Sequence, residues 1–385
     1  MQRTVFTPDH ESFRRTFREF LLKEVVPDFP RWMADGHPPR DFYRKLGALG
    51  VFGIEVPEEF GGAGIVGAKY TAVIAEEVAR LGVTIGSTNA HTNLALPYLL
   101  EYGTEEQQKR WLPGFISGDI MTAIAMTEPG TGSDLAGIRT SATLSPDGTH
   151  YVLDGAKTFI TGGVLADLVL VVCRTSPAPE HDRRAGLSIL CVDTTSPGYA
   201  VGRALDKIGM KTSDTAELSF TDVRVPVENL LGEEGRAFSY LTRNLVQERL
   251  LCAITDQARA SAAIEFALDY ARDRQIFGQP LAQFQNTKFV LAECAAEAEA
   301  GQAFVDRALE LYETGDLNVA DAAKLKLFVS EMAGRVIDKC LQVHGGYGYM
   351  LEYPIARLYA DVRVSRIFAG SSEVMKTIIA RSLGL

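Results

Sequence analysis

Hydrophobic positions in the first third of the chain recur every three or four residues, the spacing that gives an α-helix one buried face. The pattern is clear at residues 13–21 and 70–81. Thr104 stands directly before a Glu-Glu-Gln sequence, where a threonine side chain commonly caps the first turn of a helix. These features predict an N-terminal α-helical domain over residues 1–119.

From residue 120 onward the pattern changes to short apolar or alternating runs, separated by Asp-Gly and Pro-Gly turns, which is typical of β-strands. The clearest runs are residues 151–153, 168–172, 187–192 and 217–220. A charged segment with two prolines, residues 175–186, lies between two of these runs and is predicted to be a solvated hairpin connection. We therefore expect a middle β-domain over residues 120–231.

The helical period returns after residue 232 in long segments that are rich in alanine and free of strand breakers, for example residues 258–272 and 291–314. They predict a C-terminal domain over residues 232–385, built as a four-helix bundle. A chain of 385 residues is expected to form two or three domains. The predicted fold class is therefore α+β, with helical, β and helical domains in that order.

Composition narrows the possible functions. A formal net charge of -10 and an isoelectric point near 5.3 argue against a nucleic-acid partner. No apolar run is long enough to cross a bilayer, so we expect no membrane insertion. The N-terminal residues resemble neither a secretory signal nor a transit peptide, which predicts a cytoplasmic location. The five cysteines are scattered, so they are interpreted as free packing thiols, and no metal site is expected.

One glycine motif is misleading. Residues 62–67 match the GxGxxG pattern of dinucleotide-binding proteins, but they lie in a helical region without the alternation of strands and helices that such a site needs. We interpret this segment as a loop between helices. The sequence also has no P-loop, no nucleophile elbow and no His pair at metal spacing, which argues against most kinase and hydrolase functions.

Three other segments carry candidate chemistry. Residues 127–134 form a Gly-rich loop with hydroxyl groups after an apolar run, where the backbone could approach a flat ring or a phosphate. Residues 272–278 place arginines at the end of a helix, and residues 342–348 place small residues after another helix. Each segment alone is more typical of a turn or a helix end than of a binding site.

Taken together and in this order, with residues 157–162 and 368–373, the segments resemble the acyl-CoA dehydrogenase family along the whole chain. The resemblance implies the helical, β, helical fold predicted above. It also implies FAD as cofactor, an acyl-CoA substrate, an electron-transfer flavoprotein as electron acceptor and a homotetramer built as a dimer of dimers.

The resemblance also implies positions for the two ligands. Segments similar to those that line the flavin ring contain Ile124, Met126, Thr127, Gly132, Ser133, Phe159, Ile160 and Thr161, with Phe159 where many relatives have Trp. Positions similar to those that contact the FAD phosphates and adenosine, partly across a subunit interface, are Arg274, Phe277, Phe284, Gln285, Gln342, Val343, His344, Gly345, Gly346, Ser371, Ser372 and Glu373. Positions assigned to acyl-CoA are Ser133, Tyr240, Val246, Arg249, Ala369 and Gly370.

The chain departs from the commonest family pattern at the catalytic base. Many relatives carry a catalytic Glu directly before the Gly of the last motif, where this chain has Ala369. A smaller branch, which includes the long-chain and isovaleryl-type enzymes, carries the base on a helix of the C-terminal domain instead. The string around Glu248 is similar to that branch, so Glu248 is the candidate base.

The local pattern agrees with this assignment. Leu241, Leu245, Glu248 and Cys252 fall on one helical stripe, which would place the carboxylate against an apolar wall. Burial raises the pKa of a carboxyl and makes it a stronger base. The alternative is a structural Glu paired with an Arg such as Arg249, which would be the better interpretation if Ala369 had not left the other position vacant.

The implied reaction is α,β-dehydrogenation of an acyl-CoA to the trans-2-enoyl-CoA. Glu248 would take the α-proton and flavin N5 the β-hydride, while the backbone N–H of Ala369 and a flavin ribityl hydroxyl hold the thioester carbonyl. An acyl-CoA oxidase and a non-enzymatic acyl-CoA-binding protein on the same fold are the alternatives. Chain length and branching of the acyl group are left open.

Overall fold

Helices form the first part of the protein, as the hydrophobic spacing predicts. The computed structural model describes residues 3–385. Its N-terminal helices are α1 Pro8–Phe20, α2 Phe29–Asp35, α3 Arg40–Ala48, α4 Lys69–Arg80, α5 Leu96–Tyr102 and α6 Glu105–Ser117. Thr104 caps α6 as expected: its hydroxyl accepts the Gln107 N–H at 3.2 Å, and the Gln107 side chain accepts the Thr104 N–H at 3.0 Å. The GxGxxG match lies in the loop before α4, so its interpretation as a helix connection is confirmed.

A single mixed sheet forms the middle of the chain. Its strands are β1 Thr122–Ala125, β2 Ser141–Leu144, β3 His150–Thr161, β4 Leu168–Arg174, β5 Leu187–Asp193, β6 Tyr199–Ala204, β7 Thr215–Pro226 and β8 Leu230–Leu231. The strand order is β6-β7-β3-β2-β4-β5-β8, and β1 pairs with β4 in parallel. Strands β4 and β5 are antiparallel neighbours, so the segment at residues 175–186 is the predicted hairpin connection.

Long helices return after the sheet and form the C-terminal part. They are α7 Ala237–Asp273, α8 Gln285–Glu313, α9 Val319–Val343, α10 Pro354–Val362 and α11 Ser372–Ser382, with the short strands β9 Gln275–Ile276 and β10 Gln279–Pro280 between α7 and α8. The observed order of helical, β and helical parts confirms the predicted fold class.

Helix α7 is the central element of the protein. It packs against α4 and α5 of the first helical part and against α8, α9 and α10 of the last. Small side chains such as Ala260, Ala263 and Ala267 are completely buried along it, which lets the neighbouring helices approach closely. Near its start, Leu241 belongs to a different core that includes the sheet residues Leu170 and Ile189. A residue on α7 can therefore lie between all three parts of the chain.

The cysteines are buried, and residues 3–385 contain neither a metal-binding cluster nor a helix that could span a membrane. All five cysteines are buried free thiols. Within residues 3–385, no group of three or more His, Cys, Asp or Glu side chains is arranged to hold a metal ion. In the same range, none of the helices combines the length and the apolar character needed to cross a membrane.

The cap of α6 provides a test of the local structure. Thr104→Ala removes the hydroxyl that accepts the Gln107 N–H, which should lower the free energy of unfolding by about 1 kcal/mol. A loss of this size lowers the midpoint of thermal unfolding by about 2 °C in a chain of this length. Thr377→Ala is the matched control, because that hydroxyl bonds within α11 and caps nothing. Equal shifts in the two variants would contradict a capping role.

Candidate active site

A buried ion pair joins the two middle-domain segments that the sequence assigns to the flavin ring. Lys157 on β3 donates to Glu128 Oε1 at 2.9 Å, and both side chains are shielded from solvent. Lys157 also donates to the Met126 carbonyl at 3.0 Å, and the Thr158 N–H donates to the Thr127 carbonyl at 2.9 Å. The loop after β1 and the end of β3 are therefore held together as one unit.

Backbone donors fix Glu128 from the other side. The N–H groups of Arg139 and Thr140 donate to its two oxygens at 2.8 and 2.9 Å. Burial opposes ionisation of Glu128, but these hydrogen bonds and the Lys157 ammonium outweigh it and lower the pKa of the carboxyl. Burial lowers the pKa of Lys157, with Glu128 acting against that shift. Each charge is thus stabilised by the other.

A β-bulge presents Phe159 at the edge of this unit. The pairing of β3 with β7 shifts register between Lys157 and Ile160, and Phe159 within the shift has φ +60°. Bulges redirect side chains, and a left-handed conformation is costly for a phenylalanine. As a result Ile160 is buried while the Phe159 ring is 67% exposed. Thr161 follows at the end of the strand and is half-buried.

The solvent exposure of the residues increases along the predicted flavin loop. Ile124 is buried in β1, Met126 and Thr127 are half-buried, and Gly132 and Ser133 are exposed. A Cβ placed on Gly132 would meet nothing within 4 Å. The packing of this chain therefore does not require glycine at that position. The open space above the loop fits the close approach of an external ligand.

The end of α7 lies beside the end of α9. The Arg274 guanidinium lies 5.8 Å from the centre of the Tyr347 ring. One turn earlier, Tyr270 stacks on His344 with ring centres 4.5 Å apart. Gln342 and Val343 are the last two residues of α9. The structure thus brings Arg274 and the predicted 342–346 segment together.

Most of the other predicted contacts around this region are exposed to solvent. Phe277 has φ +49° and is 93% exposed, with the Phe284 ring 6.3 Å away, and Gln285 begins α8. A Cβ on Gly345 or Gly346 would meet nothing within 4 Å. This surface is again open where the sequence predicts a ligand.

The last predicted FAD contacts begin α11. Ser371 caps the helix by accepting the Val374 N–H at 3.4 Å, the buried Ser372 donates to Glu331 Oε1 at 2.7 Å, and Glu373 is exposed. Among residues 3–385, no hydrogen bond, ion pair or ring contact links this helix start or the Arg274 region to the middle-domain loop. One chain therefore presents two separate groups of predicted FAD contacts.

Glu248 is buried without a hydrogen-bond partner for its Oε1 atom. Burial raises the pKa of this carboxyl to about 7, although the Arg249 charge and the Tyr98 hydroxyl act in the opposite direction. On the predicted stripe, Leu241 and Cys252 are buried and Leu245 is half-buried. The sequence prediction of a desolvated carboxylate on an apolar face is consistent with this environment.

The alternative of a structural pair between Glu248 and Arg249 is supported only by the influence of the Arg249 charge on the pKa of Glu248, and not by a close contact in the described residues. No ion pair joins them, and the Nε and Nη1 atoms of Arg249 are also buried without hydrogen-bond partners. The Tyr98 hydroxyl of α5 lies close enough to Glu248 and Asn244 to influence both, but it too is buried outside good hydrogen-bond geometry. Buried polar groups are rarely left unpaired in proteins. Their clustering here marks a place where a ligand can supply the missing partners.

The turn at residues 369–370 has an unusual backbone. Ala369 has φ +51° and Gly370 has φ +89°. A left-handed conformation is costly for alanine and is maintained only where the surroundings enforce it. No hydrogen bond from the Ala369 N–H is found within residues 3–385, so this donor is free to bind a ligand oxygen.

A cleft of about 630 Å³ opens beside Ser133. Leu245 of α7 lines it, one turn from Glu248, and so do Arg183 and Arg184 from the β4–β5 connection. The Arg184 guanidinium lies 5.2 Å from the centre of the Phe238 ring. The cleft is also lined by Asp134, Glu180 and Asp182, and Arg183 pairs with Asp134 at 2.8 Å. It therefore combines an apolar wall with a rim of mixed charge, to which Arg184 contributes a guanidinium.

Of the six predicted substrate residues, Ser133 lines the cleft, and Tyr240, Val246, Arg249, Ala369 and Gly370 do not. Tyr240 stacks on Tyr102 with ring centres 3.8 Å apart and accepts the Glu233 N–H at 3.0 Å. Val246 packs against the alanine-rich core of the long helices. Neither residue lines the cleft, and their contact with substrate stays a prediction.

Sequence reasoning missed some residues of interest. Arg183 and Arg184 were treated as part of a solvated hairpin, and their only signal was a pair of adjacent arginines in an acidic chain. The sequence gives no signal at Glu55, yet burial raises the pKa of its carboxyl to about 7. No periodic pattern marks Glu55, because it follows a short 3₁₀ turn at Val51–Gly53.

Family models match almost the whole chain in the order of the three parts described above. They are the acyl-CoA dehydrogenase N-terminal domain at residues 7–119, the middle domain at residues 123–223 and the C-terminal domain at residues 235–384. Fold and matches together define an oxidoreductase that acts on acyl-CoA. The chain belongs to the acyl-CoA dehydrogenase family.

Individual relatives support the same family. The chain is 42% identical over 385 residues to the mitochondrial long-chain specific acyl-CoA dehydrogenase of Sus scrofa, covering 99% of this chain and 88% of that protein. A crystal structure of acyl-CoA dehydrogenase from Geobacillus kaustophilus is 44% identical, with a TM-score of 0.95 and 100% coverage of both chains. An acyl-CoA dehydrogenase from Bacillus anthracis, described as complexed with FAD, is 32% identical with a TM-score of 0.89, covering 98% of this chain and 67% of that one.

The Lys157–Glu128 pair provides a test of the unit formed by the loop after β1 and the end of β3. Glu128→Gln leaves the ammonium buried without its counter-ion, which costs about 3–5 kcal/mol for a buried pair. We expect a lower unfolding temperature and loss of bound FAD during gel filtration. Asp134→Asn is the control, because its ion pair with Arg183 is exposed and such pairs contribute less than about 1 kcal/mol. A Glu128→Gln protein as stable as the control would contradict this role.

Proposed function

We propose that the protein is an FAD-dependent acyl-CoA dehydrogenase in which Glu248 removes the α-proton of the acyl thioester. The product is the trans-2-enoyl-CoA. One observation carries the assignment: Glu248 is a buried carboxyl with an unpartnered oxygen and a pKa raised to about 7. A group with this pKa is half ionised near neutral pH and is a stronger base than an exposed glutamate.

The residues present fit FAD. The open surface beside Gly132, the outward ring of Phe159 and the adjoining ends of α7 and α9 offer space, an aromatic surface and the Arg274 guanidinium. We propose that residues 126–133 and 159–161 hold the flavin ring. The Arg274 and 342–346 region and the start of α11 would hold the phosphates and adenosine. Bound FAD supplies an acceptor for the β-hydride.

The protein's own groups account for the proton step. The α-proton of a thioester is too weakly acidic to leave unless the carbonyl oxygen is stabilised as negative charge develops on it. We propose that the free N–H of Ala369 donates to that oxygen. Replacing a glutamate by alanine at this position removes a side chain and keeps the backbone donor. Glu248 then approaches the α-carbon from α7.

Other buried carboxyl groups are weaker candidates for the base. Burial also raises the pKa of Glu55 to about 7. This residue lies in the first helical part, however, where it neighbours Tyr312 of α8. Asp256 accepts a hydrogen bond from Ser365 at 2.6 Å and pairs with Arg259. Glu248 alone among the three combines an unpartnered oxygen with a position one turn from a residue of the cleft.

We propose that acyl-CoA enters through the cleft beside Ser133, where the Arg184 guanidinium offers positive charge to its phosphates. A homotetramer is proposed because one chain presents its FAD contacts in two separate groups. Large exposed apolar side chains near them, such as Phe277, Tyr349 and Leu351, also fit an interface.

An electron-transfer flavoprotein is the proposed electron acceptor. The cytoplasmic location stays a prediction.

Replacement of Glu248 tests the base directly. Glu248→Gln keeps the size of the side chain and removes the base, so reduction of bound FAD by acyl-CoA should slow by about 10³-fold or more. The measurement is the rate of flavin bleaching in anaerobic stopped-flow mixing, with acyl-CoA substrates of several lengths and branching patterns. The same series identifies the preferred acyl chain.

Two further variants serve as controls for this experiment. Glu265→Gln changes a half-exposed carboxylate farther along α7 and should bleach at the wild-type rate. Glu55→Gln tests the other carboxyl with a raised pKa. Bleaching that survives in Glu248→Gln but is lost in Glu55→Gln would reassign the base.

The raised pKa of Glu248 predicts a pH profile. Only the ionised carboxylate accepts a proton, so the rate of flavin reduction at low substrate concentration should rise tenfold per pH unit below about 7 and level off above it. The Arg249 charge and the Tyr98 hydroxyl, which face the carboxyl, oppose the effect of burial on this pKa. A flat profile between pH 5 and 9 would argue against Glu248 as the base.

The two alternatives predict different results. An acyl-CoA oxidase would release hydrogen peroxide stoichiometrically with substrate under air, whereas we expect slow oxidation until an electron-transfer flavoprotein is added. A non-enzymatic acyl-CoA-binding protein would show no flavin absorption after purification with added FAD, or no bleaching with any acyl-CoA.

A further inference from the structure

Lys326 of α9 is a completely buried lysine close to the proposed site. Its ammonium group donates a hydrogen bond to the carbonyl oxygen of Gly370 at 2.8 Å. Burying an ammonium group is costly unless its hydrogen bonds are made, so lysine is rarely kept in a core without a specific partner. Here the partner is the turn that presents Ala369.

The groups around Lys326 come mainly from α7. Cys252, Asp256 and Arg249 lie close enough to influence it, and burial lowers its pKa. Asp256 already accepts a hydrogen bond from Ser365 at 2.6 Å and pairs with Arg259, so Lys326 is not its sole counter-ion. Lys326 thus lies between the helix that carries Glu248 and the turn that carries Ala369.

We propose that Lys326 is a positioning residue for the dehydrogenation: it fixes the 369–370 turn so that the Ala369 N–H points at the thioester carbonyl oxygen. The proposal rests on the function proposed above. It assigns a role to a residue that touches neither substrate nor FAD.

The backbone of the turn explains why an anchor is needed. Ala369 and Gly370 both have positive φ, and for alanine this conformation costs about 1–3 kcal/mol. Ser371 and the bond from Ser372 to Glu331 hold the turn on its C-terminal side. On the other side the Phe368 N–H donates to the Val364 carbonyl at 3.1 Å. Lys326 holds the carbonyl within the turn itself. Without it the turn can relax and carry the N–H away from its target.

Loss of the anchor should affect the chemical step more than binding. Lys326→Met removes the donor, and misplacement of a catalytic group by about 1 Å slows a reaction by about 10²-fold. We therefore expect flavin reduction at saturating acyl-CoA to slow by about 10- to 100-fold, with the Kd of the acyl-CoA nearly unchanged. Lys324→Met is the control, because that lysine lies on the exposed side of the same helix and pairs with Asp321.

A second readout does not depend on turnover. A 3-ketoacyl-CoA is acidic enough to bind as its enolate, so its apparent pKa in the holoenzyme reports how well the carbonyl site stabilises negative charge. Lys326→Met should raise this pKa by about one unit, a tenfold loss of enolate stabilisation, and Lys324→Met should not change it. A merely structural lysine would leave the pKa at the wild-type value.

Lys326→Arg keeps the positive charge and decides the question if Lys326→Met fails to fold. The longer, planar guanidinium cannot place a donor where the ammonium lies. We therefore expect flavin reduction to slow by about tenfold and the pKa of the bound 3-ketoacyl-CoA to rise by about one unit. A wild-type reduction rate together with a wild-type 3-ketoacyl-CoA pKa in either folded variant would overturn the proposal. If wild-type enzyme is bleached by no acyl-CoA, the proposed function fails instead. If wild type is bleached, Glu248→Gln is not, and the Lys326 variants match wild type, only this inference fails.

Discussion

The desolvation of Glu248 is the constraint on which the proposed site depends. A carboxyl in water has a pKa too low to make a useful base for carbon, and burial raises that of Glu248 to about 7. Such burial requires the Glu248 face of α7 to be covered, and this helix packs against α4, α5, α8 and α9. The architecture thus sets the strength of the base.

Three of the five non-glycine residues with positive φ in the described chain lie in segments predicted to contact FAD or substrate. They are Phe159, Phe277 and Ala369, whereas Met210 and Asp222 lie outside those segments. Strain of this kind persists only where surrounding contacts enforce it. Lys157 with Glu128 supplies such contacts next to Phe159, and Lys326 supplies one next to Ala369. A buried lysine therefore supports each of two parts of the proposed site, the segment at Phe159 and the turn at Ala369.

Much of the fold could be predicted because the helices and strands follow simple periods. The Thr104 cap, the hairpin at residues 175–186 and the return of helices after the sheet all depend on neighbours in sequence. The GxGxxG segment was rejected for the same reason, since a real site needs strands that the local pattern did not provide. The FAD segments and Glu248 were indicated by motif order and by the vacant position at Ala369.

Sequence alone thus determined the fold class, the family resemblance and the candidate base. Tertiary structure decided which polar groups are left without partners, because burial and pairing depend on residues far apart in the chain. It placed Lys326 on the carbonyl of Gly370 and brought Arg184 of the hairpin beside Phe238 and the cleft at Ser133. A lysine in a helix and an arginine in a loop have ordinary sequence contexts. Only packing shows which of them faces solvent and which fixes a turn.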